Sequence, residues 1–156
     1  MVYLITGKMN AGKTSRTIEM ANKISSSDGF VSLKTMNHDE VVQFELMQLS
    51  TKEIKILAIN QPFYNNQFDA KVTLGTYYFD ELVFEWALKS IKKMIKNKIS
   101  SIFLDEVGML EIKESGFYKS ILMLLKSQCD CYFTIRDQFI PLFIEKFKIN
   151  EYRILN

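Results

Sequence analysis

The chain has 156 residues, with 20 lysines and arginines, 18 acidic residues and a formal net charge of +2. This length fits one domain, residues 1–156, and the 47% of hydrophobic residues can build one substantial core. A charge this small excludes a strong field for nucleic acid or an anionic membrane, and no apolar run approaches the roughly 20 residues of a membrane span. We therefore expect a cytosolic monomer without a nucleic-acid or membrane partner.

A helix is predicted directly after the first strand. The apolar, β-branched run at residues 2–6 is typical of a buried parallel strand, and Gly7 ends it. Hydrophobic residues then recur at helical spacing over residues 13–24, which predicts the helix. The Ser-Ser-Ser-Asp-Gly cluster at residues 25–29 is predicted to be a loop.

The next third of the chain alternates short β-prone runs with polar turns. The predicted strands are residues 30–34, 41–49 and 54–58. We interpret them as an antiparallel β insertion after the first helix. Residues 61–70 have no hydrophobic period, and the imperfect alternation at 71–79 predicts one further strand.

The second half of the chain alternates helices with strands. Asp80 is the predicted N-cap of a long helix that ends near Lys98. After it come predicted strands at 101–104, 131–135 and 152–155, and predicted helices at 115–127 and 138–146. This alternation favours a three-layer α/β fold with a mainly parallel sheet.

The two cysteines, Cys129 and Cys131, are separated by one residue. A disulfide over this spacing would be strained, and two thiols alone make a poor zinc site. We interpret them as buried, reduced thiols on a strand.

A phosphate-binding pattern, the P-loop or Walker A motif, joins the first strand to the first helix. Gly7-Lys8-Met9-Asn10-Ala11-Gly12-Lys13-Thr14 matches G-x-x-x-x-G-K-[ST], and Ser15 follows it. The glycines let successive backbone N–H groups face a phosphate at the positive end of the helix dipole. Lys13 is expected to reach the β- and γ-phosphates and the Thr14 hydroxyl to bind Mg²⁺. The alternative is a structural glycine turn with a solvated lysine.

A second motif, of the Walker B type, ends a predicted buried strand. Ile102-Phe103-Leu104 leads into Asp105-Glu106 at the sheet edge where ligands of open α/β folds bind. Asp105 is expected to face the Mg²⁺ shell, and Glu106 to deprotonate the water that attacks the γ-phosphate. Solvated carboxylates at a strand end are the alternative, which the P-loop makes less favourable.

Residues 105–111, Asp-Glu-Val-Gly-Met-Leu-Glu, resemble the D-E-[IV]-G-x-[ML]-E motif of THEP-type nucleoside-triphosphatases. The resemblance extends to the P-loop, to residues 28–31 in place of a family G-F-Y turn, to the helix at Phe117 and to the strand end at 134–136. It implies a P-loop core and Mg²⁺-dependent hydrolysis of ATP, GTP and other NTPs with little base selectivity. It also implies that Gly108 lets its loop pass close to the nucleotide, and that Glu111 braces that loop.

Two departures from the family pattern are visible. The family P-loop reads G-x-P-G-x-G-K-T, whereas Met9-Asn10-Ala11 replaces the inner Pro-Gly pair here. Lys34 stands where an arginine is expected after the G-F turn. Turnover rate and base preference are the properties that these differences affect.

Arg136 follows a predicted strand on the side of the sheet where the P-loop is expected. It is a candidate for neutralising charge on the transferred phosphoryl group. A surface ion pair is the alternative.

Two other functions fit the same motifs. A nucleoside or nucleotide kinase would transfer the γ-phosphate to an acceptor, and residues 7–14 also resemble the P-loop of zinc-containing thymidine kinases. That family carries four zinc cysteines, which argues against it. An acceptor near the aromatic residues 63–64 and 77–79 is the remaining alternative, but we favour core packing as the role of these aromatics. An NTP-dependent binding switch is the other alternative, and Glu106 argues against it.

Overall fold

The computed structural model describes residues 1–7 and 12–156. Within these ranges one sheet contains nine strands, in the spatial order β5-β6-β4-β3-β2-β7-β8-β1-β9. The strands are β1 (Val2–Ile5), β2 (Ser27–Asn37), β3 (Glu40–Gln48), β4 (Ile54–Asn60), β5 (Val72–Leu74), β6 (Tyr77–Phe79), β7 (Ser101–Val107), β8 (Asp130–Ile135) and β9 (Tyr152–Leu155).

The helices cover both faces of this sheet. They are α1 (Lys13–Lys23), α2 (Glu81–Lys96), α3 (Met109–Ile112), α4 (Tyr118–Leu125) and α5 (Ile140–Phe147), with 3₁₀ turns at Gln61–Phe63 and Asp137–Phe139. One core packs the sheet against α2, α4 and α5, and a smaller core packs its other face against α1. No helix in the described ranges combines the length and the apolar character that crossing a bilayer requires.

Five neighbouring strands, β2, β7, β8, β1 and β9, pair in parallel, and β3, β4, β6 and β5 extend the sheet with antiparallel pairs. Because parallel strands run in the same direction, the carboxyl ends of the five lie at one edge of the sheet, where α1 also begins. The predicted α/β fold with an antiparallel extension is confirmed.

The start of β2 corrects the prediction of a loop at residues 25–29. The strand begins at Ser27, and Ser27–Phe30 pairs in parallel with Ser101–Leu104. Gly29 has φ 143°, and a Cβ there would lie 2.1 Å from the carbonyl oxygen of Phe103. The glycine therefore permits a close approach between strands rather than a turn. The same strand belongs to the parallel sheet and, through β3, to the antiparallel extension.

The observed bounds of three other elements differ from the predicted ones, each for a local reason. The single strand predicted at 71–79 is the hairpin β5–β6, because the chain turns at Gly75, with φ 59°. The helix predicted from residue 115 begins at Tyr118, after Gly116 with φ 62°. The helix predicted from residue 138 begins at Ile140, after a 3₁₀ turn.

Smaller features complete the comparison with the sequence. Asp80 caps α2 as predicted, since its carboxylate accepts a hydrogen bond from the backbone N–H of Leu82 at 3.0 Å. The cysteines are free thiols. Cys131 is buried on β8, whereas Cys129 precedes the strand and is half-buried.

Candidate active site

A cleft of about 360 Å³ lies at the carboxyl edge of the parallel strands, beside the N-terminus of α1. The described residues that line it are Gly12, Lys13, Thr14, Ser15, Ser32, Leu33, Lys34 and Glu106. The end of the P-loop, the middle of β2 and the Walker B strand thus share one concave surface. This is the position at which open α/β folds bind ligands.

The described part of the P-loop has the conformation that its glycines were expected to allow. Gly7 and Gly12 both have positive φ, 146° and 76°. Lys13 is 6% exposed, and its Nζ donates a hydrogen bond to the carbonyl oxygen of Gly7 at 3.3 Å. Its side chain therefore folds back toward Gly7. The predicted phosphate-binding residues Lys8, Met9, Asn10 and Ala11 lie outside the described residues.

Asp105 joins three elements of the site. One carboxylate oxygen accepts hydrogen bonds from the Thr14 hydroxyl at 2.6 Å and from the backbone N–H of Ser32 at 3.1 Å. The other oxygen accepts one from the Thr134 hydroxyl. The side chain is 1% exposed, so burial and hydrogen bonds fix its orientation toward the first turn of α1.

Thr14 and Asp105 together fit the ligand chemistry of Mg²⁺. A hydroxyl oxygen and a carboxylate oxygen from two elements meet at a helix N-terminus, and both are hard donors. In the described part of the chain, no cluster of three or more histidine, cysteine or acidic side chains forms a metal site. A cation held here would therefore need oxygens from phosphate or water, as Mg²⁺ sites with few protein ligands do.

A β-bulge in β7 lies at the two Walker B acids, Asp105 and Glu106. In the β7–β8 pairing Leu104 lies opposite Phe133 and Val107 opposite Ile135, so two residues, the Walker B acids, face only Thr134. Such a bulge re-aims side chains.

Glu106 is the residue that the bulge displaces. It has φ 58°, a left-handed conformation that is uncommon for a residue with a side chain and typical of functional sites. Its N–H donates to the Thr134 hydroxyl at 2.7 Å. As a result Asp105 is buried beneath the cleft, while Glu106 is exposed and lines it.

Four charged groups act on the Glu106 carboxyl. Loss of hydration, followed by repulsion from Asp105, raises its pKa, and the cations Lys13, Arg136 and Lys34 oppose this rise. Arg136 is half-buried, at the end of β8. The structure thus brings the predicted catalytic residues Lys13 and Arg136 within electrostatic reach of the third, Glu106.

The chain resembles proteins of one known family. A family model described as NTPase matches residues 2–156 of this chain. The chain belongs to the THEP-type NTPase family. Nucleoside-triphosphatase THEP1 of Methanocaldococcus jannaschii is 26% identical over 151 residues, which cover 94% of this chain and 84% of that protein. THEP1 of Natranaerobius thermophilus is 31% identical over 122 residues, covering 76% and 65%.

Two solved structures share the fold. The crystal structure of THEP1 from Aquifex aeolicus has a TM-score of 0.69 and 18% identity, and the match covers 100% of this chain and 89% of that one. The solution structure of a human cancer-related nucleoside triphosphatase has a TM-score of 0.69 and 17% identity, with coverage of 99% and 87%. The predicted P-loop NTPase fold is confirmed.

The loop that carries the rest of the THEP-type motif is held by a buried acid. Glu111 is 2% exposed, and its two oxygens accept hydrogen bonds from the backbone N–H groups of Gly108 at 2.8 Å and Phe117 at 2.9 Å. Burial raises its pKa to about 7. A Cβ at Gly116 would lie 2.4 Å from the Glu111 carboxylate, so the loop folds directly onto this acid.

Gly108 packs against an aromatic ring. Its Cα faces the ring of Phe139, with 3.4 Å between the position of a Cβ and the nearest ring atom. The described residues that line the cleft do not include it. Its contact with nucleotide stays a prediction.

Three site residues were missed in the sequence. Thr134 and Ser32 hold Asp105, and the carboxylate of Asp137 accepts a hydrogen bond from the Gly7 N–H at 3.0 Å. Thr134 and Asp137 flank the end of β8, so polar residues at that strand end were the available signal. Ser32 acts through its backbone and has no signal in the sequence.

Proposed function

We propose that this chain hydrolyses nucleoside triphosphates to nucleoside diphosphate and phosphate in the cleft at the N-terminus of α1, with Mg²⁺ and with little selectivity for the base. The observation that carries the proposal is the 2.6 Å hydrogen bond from the Thr14 hydroxyl to the Asp105 carboxylate, beside Lys13 and Glu106. Membership of the family supports NTP hydrolysis as the reaction class.

Phosphate binding is assigned to the P-loop and the start of α1. The backbone of residues 7–14 would face the phosphates, and the dipole of α1 would favour their negative charge. Lys13 would move from the Gly7 carbonyl to the β- and γ-phosphates, and Ser15 would stay at the wall of the cleft. Thr14 and Asp105 would hold Mg²⁺, which neutralises charge on the phosphate oxygens.

Glu106 is assigned the role of general base. The bulge and the left-handed backbone direct it into the cleft, where a water molecule beside the γ-phosphate would donate a proton to its carboxylate. The water oxygen then bonds to the γ-phosphorus as the bond to the β–γ bridging oxygen breaks, and the diphosphate leaves with that oxygen. Arg136 would stabilise the charge that spreads over the transferred group.

The composition of the cleft supports the proposal of low base selectivity. Apart from Leu33 and the acid Glu106, its described lining consists of residues that suit phosphate, and none of the lining residues is an aromatic or amide side chain. Those are side chains that commonly stack on a base or read its hydrogen-bonding edge. We therefore expect the phosphates to supply most of the binding energy.

Phosphate release from each of ATP, GTP, CTP and UTP, with Mg²⁺ and no added acceptor, tests the proposal. We expect release with all four, at values of kcat/KM within about tenfold of one another. Release only after a nucleoside or nucleotide is added would indicate phosphoryl transfer instead. Binding without release would indicate a switch.

A single domain, a monomeric state and a cytosolic location stay predictions.

A further inference from the structure

Strand β2 extends beyond its parallel partner and forms one wall of the cleft. Its pairing with β7 covers Ser27–Phe30, yet the strand continues to Asn37 as one arm of the hairpin with β3. The extra residues therefore project past the carboxyl edge of the parallel sheet, on the side where α1 begins. The antiparallel extension thus contributes directly to the site.

Lys34 lies on this projecting part of β2. The neighbouring part of β2 is held in place, because the Ser32 N–H donates a hydrogen bond to the Asp105 carboxylate. Ser32 lies two residues before Lys34, so the two side chains point to the same side of the strand. Lys34 lines the cleft with Thr14 and Ser15, and its ammonium group interacts electrostatically with the carboxyl of Glu106. A cation from the extension therefore stands beside the acid assigned to the attacking water.

We propose that Lys34 binds the γ-phosphate and so lets the protein distinguish nucleoside triphosphate from nucleoside diphosphate. The proposal rests on the assignment of the cleft as the NTP site. If Glu106 faces the water that attacks the γ-phosphorus, a cation beside Glu106 faces the terminal phosphate and lies farther from the α- and β-phosphates. The α- and β-phosphates are assigned to the backbone of the P-loop, and Lys13 to the β–γ junction.

The charge on the nucleotide supports these separate roles for Lys34 and Lys13. The terminal phosphate is the group that a diphosphate lacks, and its oxygens carry charge that a second ammonium group can share with Lys13. A lysine suits the position because a mobile point charge on a flexible side chain can follow the phosphate as the bond breaks. Lys13 alone, at the β–γ junction, would discriminate less.

Titration calorimetry on the full chain with Mg²⁺ tests the proposal, with β,γ-imido-ATP and ADP as the two probes. We expect Lys34→Ala to weaken binding of the imido analogue about tenfold or more while changing ADP binding less than about twofold. Lys34→Arg should restore most of the lost affinity, since it keeps the charge. Lys71→Ala is the matched control, because it removes an exposed lysine of the same extension that forms a surface ion pair with Asp69.

The proposal is overturned if Lys34→Ala weakens both probes equally, if it weakens neither, or if Lys34→Arg is no better than Lys34→Ala. Its failure is distinguishable from failure of the proposed function. If Lys34→Ala selectively weakens binding of the imido analogue while wild-type protein releases no phosphate from NTP, the role of Lys34 is supported and hydrolysis is refuted. Wild-type protein that binds neither probe would refute both.

Discussion

Glu111 is expected to make the stability of this protein fall as the pH rises from about 4.5 to about 7. Its carboxyl group is 2% exposed and is held by two backbone N–H groups, and burial raises its pKa from 4.5 to about 7. Below the lower value the group is neutral whether the chain is folded or unfolded. Between the two values the unfolded chain releases the proton and the folded chain keeps it.

The sign and size of the effect follow from proton linkage. Because the folded state binds more protons in this range, the free energy of unfolding decreases as the pH rises, and it levels off above about pH 7. A rise in pKa from 4.5 to about 7 corresponds to a loss of about 3 kcal/mol. That is a large part of the stability of an ordinary domain.

Urea unfolding followed by circular dichroism, at about pH 5 and about pH 8, measures this loss. We expect wild-type protein to lose about 2.5 kcal/mol more over this interval than Glu111→Gln, which cannot ionise, because part of the loss has already occurred at pH 5. The variant is expected to be less stable at the lower pH, since its amide can accept only one of the two N–H bonds well. Glu85→Gln, an exposed position on α2, should follow wild type. Equal losses in wild type and Glu111→Gln would refute the reasoning.

Three further substitutions probe the site and the sheet. Thr134→Val removes the hydroxyl that holds Asp105, so kcat should fall about tenfold, and unchanged steady-state kinetics would contradict this. Arg136→Ala removes a charge that acts on Glu106, so turnover at saturating NTP should fall, and an unchanged rate would remove Arg136 from the mechanism. Gly29→Ala places a Cβ 2.1 Å from a backbone oxygen of β7, so urea unfolding should show a loss above about 3 kcal/mol, and near-wild-type stability would show that β2 can shift.

The parts of the site that sequence predicts are those carried by contiguous residues. The P-loop lies between an apolar run and a helical pattern, and Asp105-Glu106 ends another apolar run. Each pattern is local, and the parallel order of the strands then brings both to the same edge. The hydrogen bond between Thr14 and Asp105, 91 residues apart, shows that this expectation about position is correct.

The parts that sequence does not predict depend on pairing between distant strands. The bulge at Asp105-Glu106 exists only in relation to β8, and no local pattern marks its two-to-one register with Thr134. Ser27–Gly29 reads as a turn because serine and glycine dominate it, yet pairing with β7 makes it a strand. Tertiary contact overrides local propensity in both places.

The projection of Lys34 into the cleft has the same origin. Its position depends on how far β2 extends past β7, which is set by the register of that pair. In the sequence the residue is a lysine in a β-prone segment, where the family resemblance leads us to expect an arginine. Its proximity to Glu106 is visible only once the strands are assembled.

Single-turnover phosphate release by Glu106→Gln, compared with its nucleotide affinity, tests most directly the claim that this cleft hydrolyses NTP with Glu106 as the base. The substitution keeps the size of the side chain, and Glu19→Gln, exposed on α1, is the matched control. We predict wild-type affinity for ATP with Mg²⁺ and a release rate lowered about a hundredfold or more, with the control unaffected. A Glu106→Gln protein that binds ATP and releases phosphate at the wild-type rate would contradict the account.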